Sequence, residues 1–455
     1  ENTNMTLVAA VLVVGLLVGA GAGYMLAPTD DGGGGGGGGE VIVEKHPLEG
    51  VDVNLGYITS SSSGLETMVP FLDEIMQVDL NEYAAKLGHD TTFTYLIDQA
   101  DQQAAIHLEK VQSFKSMGIE IFIGGPWSSM AQASLSYVNE NDMLMVSSSS
   151  TSPMLAIEDD RLYRICPTDF VQAPAIAGML ESWGIEAVII FQRADSWGDG
   201  IYNIFEQEWT GRGYDIIERV RYAGESTEYS NYLQTIDDKI AAAATEYGGY
   251  DKIAVQTMSF DENVVYCTQT VDYPETRKVI WFGCESTGRS QRMVDDAGLA
   301  SVDLRFFSSL MTPAKSWKWE SLESRYMALT AQPAGFYTGC DYDAAWIQVL
   351  SILETDSMKA DDANEVILDV ARNFWGATGW VDLDDAGDRK PGKFDIWGYY
   401  DDGGVANFQT WGLYDGVTLE VSWNDALLAA NGVSRPALGR SEERRVGKEC
   451  RSRWS

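Results

Sequence analysis

Glu285 follows the apolar run Val279-Ile280-Trp281-Phe282 and the pair Gly283-Cys284. A strand that ends in glycine and then presents a carboxylate aims it into the crevice above a sheet, where open α/β sheets bind ligands. Three other apolar runs end comparably. Ile121 to Ile123 leads into Gly124-Gly125-Pro126-Trp127-Ser128-Ser129, Met143 to Val146 into Ser147 to Pro153, and Val188 to Phe191 toward Trp197-Gly198-Asp199-Gly200. Together they offer hydroxyls, helix starts, an aromatic wall and one anion, which suits a zwitterion. Ser128 and Ser129 begin a helix, so their hydroxyls and the free N–H groups of its first turn can hold a carboxylate. Taken singly, Ser128 also reads as a plain helix cap, Ser147 to Ser152 as a turn and Glu285 as a loop acid.

Other chemistries fit poorly. The three histidines, His46, His89 and His107, read as surface residues, so neither a Ser-His-Asp triad nor a histidine metal site is expected. Asp382-x-Asp384-x-Ala386-Gly387 has Ala386 and Lys393 where a calcium loop needs ligands, and is a turn. The expectation is a binding protein with no catalytic residues, no cofactor and no metal.

The chain has 455 residues, with 68 acids against 32 bases and a net charge of -36. That excludes nucleic acid as a partner, which would need a basic face. Met5 to Ala27 carries no charge and is long enough to cross a bilayer, so 1–27 reads as a membrane anchor or signal segment. Asp30-Asp31 and Gly32 to Gly39 make 28–49 a flexible tether. The abruptly basic 439–455 resembles a non-native tail. Cys166, Cys267, Cys284 and Cys340 allow up to two disulfides or four buried thiols.

From Val51 onward, short apolar strands alternate with amphipathic helices, as in parallel sheets. Strands are expected at Val53 to Ile58, Phe93 to Ile97, Ile119 to Ile123, Met143 to Val146, Ala187 to Phe191, Ile216 to Val220, Ile253 to Val255, Val279 to Phe282 and Leu304 to Phe307. Helices are expected at Gln102 to Met117, with Ala104, Leu108, Val111 and Phe114 on one stripe, and at Cys340 to Leu353. These are too many units for one sheet, and a break falls near Cys166 to Asp169.

The order and spacing of Ile123 to Ser129, Ser150-Thr151-Ser152-Pro153, Trp197 to Gly200, Gly283-Cys284-Glu285 and Gly387-Asp388-Arg389 resemble the branched-chain amino acid (leucine/isoleucine/valine) binding family of ABC transporter receptors, over roughly Val51 to Val421. The resemblance implies the type I periplasmic binding protein fold: α/β, with two Rossmann-like lobes and three hinge crossovers. Lobe one would be 50–166 plus 311–394 and lobe two 169–306 plus 396–421, with crossovers near Cys166 to Asp169, Phe306 to Thr312 and Phe394 to Ile396. It implies that Ser128 binds a ligand carboxylate, that Thr151 is a second hydroxyl donor, and that Ser149 and Ser150 bring backbone to the ligand. Glu285 would bind an ammonium. Trp197 would pack over the ligand, with Trp127 nearby, while the family's second tyrosine finds no clean match around Ser259 and Phe260. The expected function is an extracytoplasmic, membrane-anchored receptor that passes an amino acid to separate ABC permease and ATPase subunits. A ligand-sensing ectodomain and a short-amide binder are the alternatives.

Overall fold

The computed structural model describes residues 47–390 and 392–436. The expected anchor, most of the tether and the basic tail lie outside them. No helix among the described residues is long and apolar enough to cross a membrane.

The strands are β1 (Asp52–Thr59), β2 (Thr92–Gln99), β3 (Ile121–Ile123), β4 (Leu144–Ser147), β5 (Leu162–Pro167), β6 (Ala187–Arg193), β7 (Asp215–Tyr222), β8 (Ile253–Met258), β9 (Ile280–Gly283), β10 (Phe307–Met311), β11 (Asp388–Arg389), β12 (Lys393–Asp401), β13 (Ala406–Asp415) and β14 (Glu420–Trp423). They form a six-stranded sheet, β11-β5-β4-β3-β1-β2, and an eight-stranded sheet, β14-β13-β12-β10-β9-β8-β6-β7. The first is parallel throughout. In the second, β7 to β10 run parallel with β6, while β12, β13 and β14 add antiparallel pairs.

Both sheets are covered on two faces, and alternation along each strand divides its side chains between two cores. On β1, Val53, Leu55 and Tyr57 join one cluster, which also receives Phe336 and Ile347 of the helix Phe336–Thr355. Ile58 joins the other, with Phe114, Phe122 and Val138. On β6, Val188 and Ile190 pack on one side while Ile189 and Phe191 face the opposite core. The apolar runs of the sequence are therefore central strands with no solvent face.

Several expectations need correction. The strand placed at Leu304 to Phe307 starts at Phe307, because Leu304 and Arg305 close the preceding turn and Arg305 takes a positive φ of 51°. In the helix Ala104–Ser116, the fully buried stripe is His107, Val111 and Phe114, with Leu108 only half-buried. His107 is thus a core residue rather than a surface one. The chain passes between the sheets after Pro167, after Met311 and between Arg389 and Lys393. That third passage precedes Phe394, which already pairs with Met311 and Tyr414 in the second sheet. The fold also extends past Val421 through the helix Asp425–Ala430, which buries Leu428. Among the described residues, Cys166, Cys267, Cys284 and Cys340 are buried free thiols.

Deep in the first sheet, Arg164 of β5 binds Asp388 of β11 through two parallel bonds of 2.5 Å. Its side chain is fully buried and that of Asp388 nearly so. Arg164→Met should leave that carboxylate buried without a partner and cost about 3–5 kcal/mol of unfolding free energy. Urea unfolding measures this, and adding Asp388→Asn should restore part of the loss.

Candidate functional site

The C-terminal ends of both sheets face one another where strand order reverses, between β1 and β3 in the first and between β6 and β8 in the second. After β3, Gly125 adopts φ 61° and approaches Ala131 so closely that a Cβ there would lie 2.7 Å from its methyl carbon. Glycine is therefore required. Its N–H donates to His107 Nε2 at 2.8 Å, while His107 Nδ1 lies 2.7 Å from Ser134 Oγ. Burial lowers the His107 pKa to about 3, keeping the ring neutral and able to accept that bond. His107, missed in the sequence, fixes the turn that launches the helix Ser128–Glu140.

Ser128 does not cap its helix, because Trp127 holds the cap position. The buried Ser128 Oγ instead accepts from Ser152 N at 3.1 Å, tying the helix start to the serine loop. Within that loop Ser149 Oγ donates to Pro126 O at 2.8 Å, and Ser147 and Ser150 Oγ both donate to Gly125 O, at 2.9 and 2.5 Å. These hydroxyls brace the two loops against each other. Arg164 Nη1 holds the loop from below through Ser152 O at 2.6 Å and Ser150 O at 3.3 Å.

Thr151, between those carbonyls, reaches across to the other sheet. Its Oγ1 accepts from Trp197 Nε1 at 3.0 Å, and its carbonyl accepts from Asp169 N at 2.9 Å. Trp197 belongs to the helix Ser196–Gly211 and is stacked on Phe260, with centroids 4.6 Å apart. Phe260 in turn meets Trp127 at 5.2 Å, and the Arg193 guanidinium lies 4.3 Å over its ring. Ser259 does not join this cluster: its hydroxyl lies 2.6 Å from Tyr266 Oη. The residue of this segment that joins it is Phe260, one residue on.

Glu285 opens a short 3-10 turn after β9 and is buried. Gln172, from the helix Asp169–Ser182, clasps it: Gln172 Nε2 donates to Glu285 Oε2, and Glu285 N donates to Gln172 Oε1 at 3.2 Å. Asp169 heads the same helix, fully buried, and sequence reasoning missed it. Burial raises the Glu285 pKa well above the ordinary range, and the nearby Asp169 raises it further, while Trp197 and Thr151 pull it down. Asp169 itself is pushed up to about 7 by burial, against the opposing pull of the Thr151 hydroxyl and of Arg164. Arg164 is already engaged by Asp388. The cluster is therefore two buried carboxylates short of cationic charge, beside hydroxyl and indole donors. The fold brings Thr151, Trp197 and Glu285 together, with Ser128 bonded to the neighbouring Ser152 N, while the Ser149 and Ser150 hydroxyls bond backbone carbonyls of the preceding loop.

Residues 78–402 match the family described as the receptor family ligand binding region. The chain belongs to this family. A curated relative, an uncharacterized protein of Methanocaldococcus jannaschii, is 24% identical over 82% of this chain and 91% of its own length. Among solved structures, the Thermotoga maritima leucine binding protein LivK superposes with a TM-score of 0.64 at 16% identity, covering 78% of this chain and 97% of that one. The Streptococcus pneumoniae branched-chain amino acid transporter substrate binding protein LivJ, in complex with isoleucine, gives 0.62 at 14% identity over 79% and 99%. A solute binding protein of an ABC transporter from R. palustris, in complex with 4-hydroxybenzoate, gives 0.66 at 13% over 80% and 97%. These likenesses show that the receptor-family chain has the type I periplasmic binding protein fold.

The acids of this receptor-family site make its stability depend on pH. Asp169 ionises near 3.8 ordinarily and near 7 when folded. Between those values the folded form holds the extra proton, so stability falls as pH rises and levels off above about 7. Asp341, also near 7, acts with the same sign, whereas His107, neutral when folded, costs stability as pH drops below 6.5. The difference made by Asp169→Asn is therefore the readout. Thermal melts across pH 4 to 8 should show a shallower decline in the variant than in the wild type.

Proposed function

We propose that this protein is an extracytoplasmic solute-binding receptor that captures an α-amino acid, or a close zwitterionic analogue, between two lobes. It delivers the ligand to the permease and ATPase of an ABC importer. The lobes are built on the two sheets and move about the three crossovers, and the apolar segment Met5 to Ala27 holds them at the membrane surface. The observation that carries this reading is the pair of buried carboxylates, Asp169 and Glu285, with no ion pair to Glu285 among the described residues. A ligand ammonium would supply the missing positive charge. Ser128 and the N-terminus of its helix would receive the ligand carboxylate, and Thr151, on the same side of the cleft, would bond the head group. Trp197, Phe260 and Trp127 would wall the side-chain pocket. An anionic ligand such as a simple aromatic carboxylate is disfavoured, because it would meet two acids.

Each part of this reading has a consequence in affinity. Glu285→Gln keeps the shape and removes the charge, and should weaken amino-acid binding by roughly 30-fold or more. Ser128→Ala should cost less, on the order of 1–3 kcal/mol, because helix N–H groups remain. Without ligand, Glu285→Gln should be at least as stable as the wild type, since it removes like-charge repulsion with Asp169. Calorimetric titration against all common amino acids, with melts in parallel, tests the set. Binding of a sugar but of no amino acid would overturn the reading. So would an unchanged dissociation constant in folded Glu285→Gln.

A further inference from the structure

A cavity of about 850 Å3 lies on the crossovers rather than at the Glu285 cluster. Its volume falls within the roughly 300–1,000 Å3 typical of small-ligand sites. Walls come from every passage between the sheets: Pro167 at the first, Thr312 to Lys315 at the second, and Arg389, Lys390 and Lys393 at the third. The remaining walls belong to both halves of the molecule, with Phe336, Trp375 and Trp380 on one side and Trp411 and Trp423 on the other. The apolar part is rich in tryptophan. Trp375 and Trp380 are 50% and 57% exposed, an unusual cost in solvent-facing apolar surface for a soluble fold.

The charges lining this cavity reverse the balance of the chain. Acids outnumber bases two to one overall, yet the lining holds Lys315, Arg389, Lys390 and Lys393 against one acid, Asp395. Burial raises the Asp395 pKa, which favours its neutral form. Lys390 and Lys393 pair at 3.0 Å with Asp382 and Asp415, and Arg389 donates to Ile165 O and Thr378 Oγ1. Lys315 is exposed, and its charge acts on Asp395, whose pKa it lowers against the effect of burial.

We infer that this hinge cavity is a second ligand site, for an aromatic anion. Tryptophan faces take the ring, and Lys315 takes the carboxylate or sulfonate. Because the walls are shared between the two halves and the crossovers, rotating one half against the other reshapes the cavity. A ligand that fills it favours one rotation, and so changes amino-acid affinity at the cleft by the same factor that the amino acid changes its own. The coupling rests on the cleft function proposed above, whereas the site itself does not.

Titration of the full chain with 1-naphthalenesulfonate, followed by calorimetry, tests both parts. One saturable site is expected, weakened tenfold or more by Lys315→Gln and by Trp380→Ala, both exposed positions that leave the fold intact by circular dichroism. The uncharged 2-naphthalenemethanol should bind at least tenfold more weakly. Glu285→Gln should keep the sulfonate site while losing the amino acid, which separates failure of the cleft reading from failure of this one. Equal affinity for the charged and uncharged rings, or unchanged sulfonate affinity in both variants, overturns the second site. Retention only on anionic lipid vesicles overturns it in favour of membrane docking. A saturable sulfonate site that leaves amino-acid affinity of the wild type unchanged overturns the coupling.

Discussion

One buried guanidinium organises the ligand side of the first sheet. Arg164 has no contact with solvent, and its buried charge is compensated by Asp388, which meets it with two parallel bonds, and by two carbonyls that accept from Nη1. Those carbonyls belong to Ser150 and Ser152, on either side of Thr151. The residue that reaches across to Trp197 is therefore held by its neighbours' backbone, while its own hydroxyl meets the Trp197 indole and the acids of the cleft. The same ion pair fastens β11 beside β5, and with it the third passage between the sheets. Positioning of the loop and anchoring of the hinge thus share a single electrostatic knot.

The opposite half of the site works by the reverse logic. Arg164 is neutralised in place, but Asp169 and Glu285 are buried close together among Gln172, hydroxyls and an indole, and the cation that acts on Asp169, Arg164, is bound to Asp388. Such a pair destabilises the ligand-free fold in proportion to its ionisation. A cationic group entering the cleft relieves both the desolvation and the mutual repulsion. Strain of this kind is tolerated at functional sites because the surrounding cores, here packed on both faces of both sheets, supply stability in excess.

Much of this was legible in the sequence. The central strands carry unbroken apolar runs, and the glycines and serines that follow them announce the loops, so Ser128, Thr151, Trp197 and Glu285 could be placed at strand or helix ends. Asp169 was hidden because it stands just beyond Pro167 at a chain crossing, in a protein with 68 acids where one more aspartate has no distinguishing context. His107 was misread as a surface residue. Its neighbour Leu108 satisfies the helical stripe on hydrophobicity, whereas the fold buries the imidazole to meet the N–H of Gly125 and the hydroxyl of Ser134. Side-chain hydrogen bonds between distant segments leave no period to read. The bracing bonds of the Ser149 and Ser150 hydroxyls to Pro126 and Gly125 were hidden for the same reason.

The pairing of β5 with β11 also bears on how the polypeptide is made. Arg164 and Asp388 are 224 residues apart, and the whole eight-stranded sheet apart from its last three strands is synthesised between them. A nascent chain that has completed β5 therefore holds an unpaired arginine at an open sheet edge. The five strands β6 to β10 have time to pair before the first sheet can close. Long-range closures of this type slow folding and leave edges exposed to wrong partners. For this architecture both sheets wait on the last part of the chain, β11 completing the first and β12 to β14 the second, and the ligand loop on β5 gains its Arg164–Asp388 brace only then.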